Sequence, residues 1–359
     1  MEPTVISDLA QIAGLSREWK INEEDILLIA LNSSGVRSHL DKPRMRFRLR
    51  LDSRPDEQLY LILSLGRTRS PFELDENEIR LAGQRIGVVN AIEDDDAVLG
   101  YWRHGNRVLT LNSNARSQCT GCMFCPNTME ASADPRLAGL DDLDAYFAAL
   151  VVDFGLPDLA GVDTVTVCTG CFQYENLALD HLRQVRQAMR AHGCRGNIHF
   201  LTSVLTTETG LDAAAAIGPF HLTMTAECFE RRELILKESK ARLTPATMID
   251  VLGSAKNRGI TTDFTYIVGM DSTDVALQHL PRFVPVTTTF PRFQVYQAHN
   301  ALMDVFVGPG AHDIEFYLHM RQGIEALFGP TGLRPRPWEN YRPLWYFTFA
   351  DEEITGERI

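Results

Sequence analysis

Ser117-Gln-Cys119-Thr-Gly-Cys122-Met-Phe-Cys125-Pro-Asn127 places three thiols within seven residues, each separated from the next by two others. The stretch follows a short apolar run at residues 108–111. Because a tight loop can turn every third side chain to one side, three thiolates spaced in this way can bind one iron–sulfur cluster together. A bacterial ferredoxin run would continue with a cysteine at position 129, where this chain has Met129. Three thiolates leave one iron of a cluster open to another ligand.

Structural zinc is the main alternative for these thiols. Zinc prefers four closed nitrogen or sulfur ligands, usually as two pairs with a longer spacer between them. The nearest second pair is Cys168-Thr-Gly-Cys171, and no histidine pair of zinc-finger spacing lies nearby. Among three cysteines this crowded, at most one disulfide could form, and its geometry would be strained. We therefore favour a three-cysteine cluster over zinc or a disulfide.

Length, charge and cysteine usage limit the class of protein. A chain of 359 residues predicts one large or two ordinary domains. Its net charge of −12 would repel a phosphate backbone, so we expect no nucleic-acid partner. No apolar run approaches a membrane span, and the N-terminus lacks the basic and apolar regions of a signal peptide. Because seven cysteines, three of them clustered, suit a reducing compartment, we expect a cytoplasmic protein with no membrane partner.

The first part of the chain, residues 1–105, predicts a small N-terminal α/β domain whose chemistry is not legible. Residues 26–31 form a short buried apolar run. Residues 45–51 alternate with period two, as a half-buried strand does. Residues 59–65 could pair with them across the turn-forming segment 52–56.

From residue 107 onward the pattern changes to repeated strand–loop–helix units. The predicted strands cover residues 108–111, 162–167, 197–201, 220–225, 260–268 and 293–296. The predicted helices cover residues 140–154, 177–191, a stretch from about 208, and 244–258, the last with Thr244 as N-cap and Pro245 at its first position. Six such units pair in parallel and could form an open sheet or a partial barrel. In both, ligands bind at the carboxyl ends of the strands, where the cysteine loop falls.

A three-cysteine loop after the first of six β/α units, with Phe124 directly before the third cysteine, resembles the radical S-adenosylmethionine superfamily over residues 107–310. The superfamily's usual spacing is Cys-x3-Cys-x2-Cys, so this loop is one residue shorter. The resemblance implies a partial (βα)6 TIM-like barrel over residues 106–310, after the small N-terminal α/β domain. A C-terminal helix and a Pro/Trp-rich strap would occupy residues 311–359. Trp338, Tyr341, Arg342 and Trp345 of that strap could close the barrel mouth or could simply pack.

The resemblance also implies the cofactors and the enzyme class. Cys119, Cys122 and Cys125 would hold a [4Fe–4S] cluster whose open iron binds S-adenosylmethionine. The reduced cluster would cleave S-adenosylmethionine to a 5′-deoxyadenosyl radical that abstracts hydrogen from the substrate. A flavodoxin- or ferredoxin-type protein would donate the electron.

Five further cofactor-binding positions are implied by the family's downstream pattern. Gly170 would allow close approach of the methionine amino group, with Gln173 as a neutral acceptor beside it. Glu227 stands where members resembling biotin synthase place a polar residue, and Arg242 would pair with the carboxylate. Gly269 would lie against the adenine.

Three of these positions have plain structural alternatives, and Gly269 could simply end a strand. Glu227 could be a solvated charge, and Arg242 could pair with Glu238 on its own loop, with Arg231 as the next candidate. The remaining thiols could bind a second cluster. Because Cys194 precedes the third strand and Cys228 follows the fourth, they should lie at opposite ends of the sheet, which favours buried free thiols.

Tyr296 and His299, at the end of the sixth strand, are the candidate catalytic residues. His299 could donate a proton or bind substrate, and a satisfied core histidine is an equal alternative. No appended peptide-handling or cobalamin-binding module is evident, so we predict a small polar biosynthetic substrate derived from an amino acid, a nucleoside or a sugar. The alternatives are peptide modification and a non-catalytic iron–sulfur or zinc protein. The residues do not distinguish a lyase, a mutase, C–C bond formation or an oxidoreductase.

Overall fold

The computed structural model describes residues 6–67, 69–95, 100–112, 121–125, 137, 139–168, 172–337, 339–356 and 358. Four predicted positions therefore lie outside the described residues, namely Cys119, Gly170, Cys171 and Trp338. In the part of the chain that is described, no helix is long and apolar enough to cross a bilayer.

The N-terminal part contains two helices and a five-stranded antiparallel sheet. Helices α1 (Leu9–Trp19) and α2 (Glu23–Ser34) begin where the side chains of Asp8 and Asn22 accept hydrogen bonds from first-turn N–H groups. The strands are β1 (Arg44–Leu51), β2 (Leu59–Ser64), β3 (Phe72–Asp75), β4 (Glu78–Leu81) and β5 (Gln84–Asp94). Their order is β2-β1-β5-β4-β3. The predicted hairpin is confirmed, since β1 and β2 pair antiparallel with Met45 opposite Leu63.

A second sheet of seven strands carries the rest of the molecule. Its strands are β6 (Gly100–Arg103), β7 (Val108–Leu111), β8 (Thr164–Val167), β9 (Asn197–Thr202), β10 (Phe220–Glu227), β11 (Thr261–Val268) and β12 (Arg292–Val295). They follow one another across the sheet in sequence order, and the sheet is curled into a half-barrel. Strands β7 to β12 are parallel, and β6 pairs antiparallel with β7 at the edge.

Helices connect the parallel strands and cover the sheet. They are α3 (Leu140–Asp153), α4 (Glu175–Ala191), α5 (Glu208–Ile217), α6 (Arg232–Ile235), α7 (Glu238–Ala241), α8 (Pro245–Asn257), α9 (Thr273–His279), α10 (Ala301–Asp304) and α11 (Ile314–Phe328). The predicted start of α8 is confirmed, because the Thr244 side chain accepts a hydrogen bond from the N–H of Thr247 and Pro245 opens the helix. After α11 the chain is an irregular strap with one small hairpin, β13 (Thr348–Phe349) and β14 (Glu352–Glu353).

The six predicted barrel strands are confirmed to within two residues at each end. The edge strand β6 is an addition, and it joins the barrel sheet although it falls inside the predicted N-terminal range 1–105. The apolar run at 26–31 is buried inside α2, which packs against β2, β12 and α11. Helix α2 therefore lies between the two sheets and is apolar on most of its surface.

Candidate functional site

The described part of the cysteine loop, residues 121–125, packs at the carboxyl ends of the last three barrel strands. Cys122 is buried, and Phe124 and Cys125 are half-buried. They share one apolar cluster with residues that end β11 or follow β10, β11 and β12, namely Ile235, Leu236, Ile267, Met270, Tyr296 and Ala298. Residues 121–125 therefore lie at the mouth of the half-barrel, where a ligand of a parallel sheet binds.

Backbone contacts fix this loop against residues 235–237. The N–H of Met123 donates to the carbonyl of Ile235 at 2.8 Å, and the N–H of Lys237 donates to Cys122 Sγ at 3.4 Å. Gly121 has a φ of +101°, and a Cβ on it would lie 3.1 Å from Cβ of Lys237. The residue before Cys122 therefore has to be glycine for both conformational and packing reasons.

The surroundings of the two described thiols are compatible with an iron–sulfur cluster. A backbone N–H aimed at a cysteine sulfur is one of the contacts that tune such clusters. In the described part of the chain, Cys122 and Cys125 have no third His, Cys, Asp or Glu close enough to complete a metal site. A structural zinc would need two more ligands and a cluster with an open iron would need one; Cys119 and Cys171 lie outside the described residues.

Glu227 ends β10 with its carboxylate buried and paired. Its side chain is 10% exposed, and Lys240 Nζ lies 2.8 Å from its Oε1. Its Oε2 accepts a hydrogen bond from Thr265 Oγ1 at 3.3 Å. Glu227 also has a φ of +65° at a shift in the β10–β11 register. A left-handed backbone at a non-glycine residue is strained and is found disproportionately at functional positions.

Arg242 lies away from Glu227. Its side chain is 77% exposed and pairs with the equally exposed Glu238 on the same loop. The cation beside Glu227 is Lys240, which the sequence reasoning missed although it is only two residues from Arg242. Arg231 is also engaged elsewhere, because its guanidinium donates to the carbonyls of Met270 and Phe306.

Gly269 directly follows β11 and has a φ of +112°. A Cβ on it would lie 3.1 Å from Tyr317 Oη and 3.3 Å from Tyr296 Cβ. Tyr296 is buried, its hydroxyl donates to the carbonyl of Met303 at 2.8 Å, and burial raises its pKa. Gly269 and Tyr296 are therefore in contact at the mouth of the half-barrel, and the phenol is neutral.

His299 is buried, with no hydrogen-bond partner for Nδ1 among the described residues. Burial, followed by the charges of Arg342, Arg44 and Arg67, lowers its pKa to about 2. The imidazole is therefore neutral near neutral pH and can accept a hydrogen bond. Gln173 is exposed just before α4.

The thiols outside the cysteine loop are separated as predicted. Cys194, before β9, and Cys228, after β10, are free and fully buried at opposite edges of the parallel sheet. Burial raises the pKa of both thiols. Cys168 is half-buried after β8, and its thiol donates to Asn112 Oδ1 at 3.3 Å.

A polar cavity of about 200 Å³ lies inside the half-barrel. Next to it His199, His221 and Asp263 offer three ligand atoms within 4.8 Å of one another. Arg292 occupies the same place, with NH1 at 2.9 Å from Asp263 Oδ2 and 3.1 Å from His199 Nε2. Because a guanidinium already neutralises this carboxylate, the group is a poor cation site. The alternating threonines of β8 and β10 are a sequence signal that would have indicated this polar interior.

Comparisons with known proteins give structural matches only. No family model and no curated protein matches the chain. One similar solved structure is TsrM from Kitasatospora setae, a radical S-adenosylmethionine methyltransferase with cobalamin and a [4Fe–4S] cluster bound. It is 15% identical, the match covers 52% of this chain and 34% of TsrM, and the TM-score is 0.37.

Another similar structure is SuiB from Streptococcus suis bound to S-adenosylmethionine. It is 9% identical, the match covers 64% of this chain and 50% of SuiB, and the TM-score is 0.42. The chain thus spans between a third and a half of the length of these two proteins. With TM-scores below 0.5, these likenesses do not establish function, which has to be argued from this chain's own residues.

Proposed function

We propose that this chain is a radical S-adenosylmethionine enzyme, with Cys119, Cys122 and Cys125 as the ligands of a [4Fe–4S] cluster. The observation that carries the proposal is the position of the described thiols. Cys122 and Cys125 lie on one tight loop, inside an apolar cluster at the carboxyl ends of β10 to β12. When bound, the cluster and S-adenosylmethionine would supply one-electron reduction and hydrogen abstraction from carbon.

The chain's own residues would position and shield these groups. The apolar cluster around Cys122 excludes water from the sulfur, and the N–H of Lys237 stabilises a thiolate there. Glu227 and Lys240, a buried ion pair beside the loop, would bind the polar parts of S-adenosylmethionine. Tyr317 and Tyr296 fill the space that a side chain at Gly269 would take, so Gly269 would shape the turn at the mouth of the half-barrel rather than receive the adenine itself. Phe124 would pack beside the adenine.

Tyr296 and His299 would contact the substrate as neutral groups. The Tyr296 phenol is already a donor to Met303, so it can accept a second hydrogen bond. Nδ1 of His299, which has no partner among the described residues, can accept a hydrogen bond from the substrate. Its low pKa makes it a poor proton acceptor.

The proposal also covers the barrel type, the electron donor and the substrate. The fold would be a partial (βα)6 barrel, and a flavodoxin- or ferredoxin-type protein would donate the electron. The substrate would be a small polar molecule, with a peptide as the alternative.

The test is anaerobic reconstitution of the full chain with iron and sulfide, then reduction in the presence of S-adenosylmethionine. We expect a brown chromophore and formation of 5′-deoxyadenosine. Cys122→Ala should lose the chromophore and most of the bound iron, whereas Cys194→Ala removes a buried thiol from the opposite edge and should keep both. A fully loaded cluster that yields no 5′-deoxyadenosine would leave a non-catalytic iron–sulfur protein, and equal bleaching by the two variants would refute the ligand set.

A further inference from the structure

The cavity inside the half-barrel contains an arginine that has no carboxylate partner among the described residues. Arg103, at the end of β6, donates from NH1 to the carbonyl of Glu339 at 3.0 Å and from NH2 to the hydroxyl of Tyr101. Its Nε has no hydrogen-bond partner, and no Asp or Glu among the described residues pairs with it. Its guanidinium carbon lies 4.8 Å from the ring centroid of Tyr101 and 4.5 Å from that of Tyr341.

The other charged groups around the cavity neutralise one another. Arg292 pairs with Asp263 at 2.9 Å and with Glu339 at 3.3 Å. Arg336 lies 3.4 Å from the same Glu339 carboxylate. Arg292 and Arg336 therefore each pair with a carboxylate, whereas Arg103 pairs with none among the described residues. A charge enclosed by protein is costly unless an opposite charge pairs with it.

The rest of the cavity wall offers shape and hydrogen bonds without further charge. His199 is neutral, because burial and then the charge of Arg292 hold its pKa well below the usual range. The rings of Tyr101 and Tyr341 provide flat apolar faces, and the hydroxyl of Tyr341 has no partner among the described residues. Cys168, which also lines the cavity, stands at the carboxyl edge of the sheet, where the cysteine loop packs. The cavity therefore runs from Arg103, opposite Val108 at the amino end of β7, to Cys168 at the carboxyl edge of the sheet.

We propose that this cavity binds the carboxylate of a small substrate through Arg103, with Tyr341 as a second donor. The assignment rests on the proposed function in that the occupant is the substrate of that reaction. A carboxylate fits better than a phosphate because one unpaired guanidinium matches one negative charge. A guanidinium also presents its N–H groups in a plane that suits the two oxygens of a carboxylate.

Benzoate and benzamide provide a matched test, since they share a shape and differ in charge. Their affinities are measured by calorimetry on the full-length reconstituted protein, without reductant or S-adenosylmethionine. We expect benzoate to bind at least about tenfold more tightly than benzamide, the factor expected for one charge-assisted hydrogen bond. Arg103→Met should abolish this preference. Arg183→Met, which changes an exposed arginine of α4 paired with Asp180, should preserve it.

Three outcomes would overturn the assignment. They are equal affinity for the two probes, unchanged benzoate binding in Arg103→Met, and displacement of benzoate by inorganic phosphate at lower concentration than by acetate. If thermal melting shows Arg103→Met to be unfolded, Tyr341→Phe keeps the ring and removes only the hydroxyl, and it should weaken benzoate binding about threefold or more. An unchanged affinity in that variant would also count against the proposal. Because no turnover is measured, failure here is distinct from failure to form 5′-deoxyadenosine.

Discussion

Asp25→Ala should destabilise the protein by disconnecting the C-terminal strap from α2. Asp25 is fully buried, and its Oδ1 accepts hydrogen bonds from the N–H groups of Tyr346 at 2.7 Å and Phe347 at 2.9 Å. Its Oδ2 accepts from the N–H of Thr348 at 3.0 Å and from its hydroxyl at 2.6 Å. The same oxygen lies 3.0 Å from NH1 of Arg321, whose side chain is 2% exposed. One carboxylate thus joins α2, α11 and the strap.

The magnitude follows from what the substitution leaves behind. Removing one partner of a buried ion pair costs about 3–5 kcal/mol, and each buried donor left unpaired adds about 1–3 kcal/mol. Glu325 still neutralises Arg321, at 2.9 Å from its Nε, and water can reach the freed strap, so these costs do not all add. We expect a loss of about 4–6 kcal/mol, a large part of the roughly 5–15 kcal/mol that stabilises a typical domain.

Urea unfolding, monitored by far-ultraviolet circular dichroism, measures this loss of unfolding free energy. Asp56→Ala, which removes an exposed carboxylate from the turn between β1 and β2, is the control and should change stability by less than about 0.5 kcal/mol. A loss below about 1 kcal/mol for Asp25→Ala, with an unchanged denaturant slope, would refute the reasoning.

Three further predictions concern the candidate site. Gly269→Ala should lower stability by about 1–3 kcal/mol in thermal unfolding, because an alanine is strained at its φ of +112°, and an unchanged melting temperature would contradict this. Lys240→Met should raise the KM for S-adenosylmethionine about tenfold, because it leaves Glu227 without its cation. Arg242→Met changes an exposed ion pair and should leave this KM unchanged. A KM raised by Arg242→Met and not by Lys240→Met would support the role predicted for Arg242. His299→Gln should weaken the dependence of stability on acid pH. The fold lowers the pKa of His299 to about 2 from an ordinary 6.5, so below pH 6.5 only the unfolded chain takes up the proton. The free energy of unfolding of the unchanged protein therefore falls as pH falls toward 2. In urea unfolding, the free energy of unfolding should fall between pH 7.5 and pH 5.0 by roughly 2 kcal/mol less in this variant than in the unchanged protein. Equal falls in the two proteins would contradict the assignment.

Local signals explain which parts of the fold the sequence could predict. The barrel strands are apolar runs between recognisable helices, and Thr244 with Pro245 marks a helix start chemically, so both could be located from the sequence. Strand β6 is only four residues long, and its hydrogen-bonding partner is defined by the tertiary fold. The run at 26–31 could be identified as buried, but a short apolar run does not distinguish a helix from a strand.

The candidate site shows the same division between local and tertiary information. Spacing alone placed Cys122 and Cys125 on one loop, and strand order placed that loop at the carboxyl edge of the sheet. The cation that pairs with Glu227 depends on the rotation of α7 about its axis. Lys240 and Arg242 lie on one turn, so the sequence pattern alone does not show which of them faces Glu227. The pairing of Arg292 with Asp263 likewise depends on the register between β11 and β12.

The rings beside Arg103 are held by contacts from all three parts of the chain. Tyr101 comes from the edge strand of the barrel, and Tyr341 comes from the strap that Asp25 anchors. From the N-terminal sheet, the Arg46 guanidinium carbon lies 5.5 Å from the Tyr101 ring centroid and 5.7 Å from that of Tyr341. Asp95 holds this arginine in place at 2.8 Å. Because neither ring is fixed by the barrel alone, the N-terminal sheet helps to hold these rings in place beside the cavity.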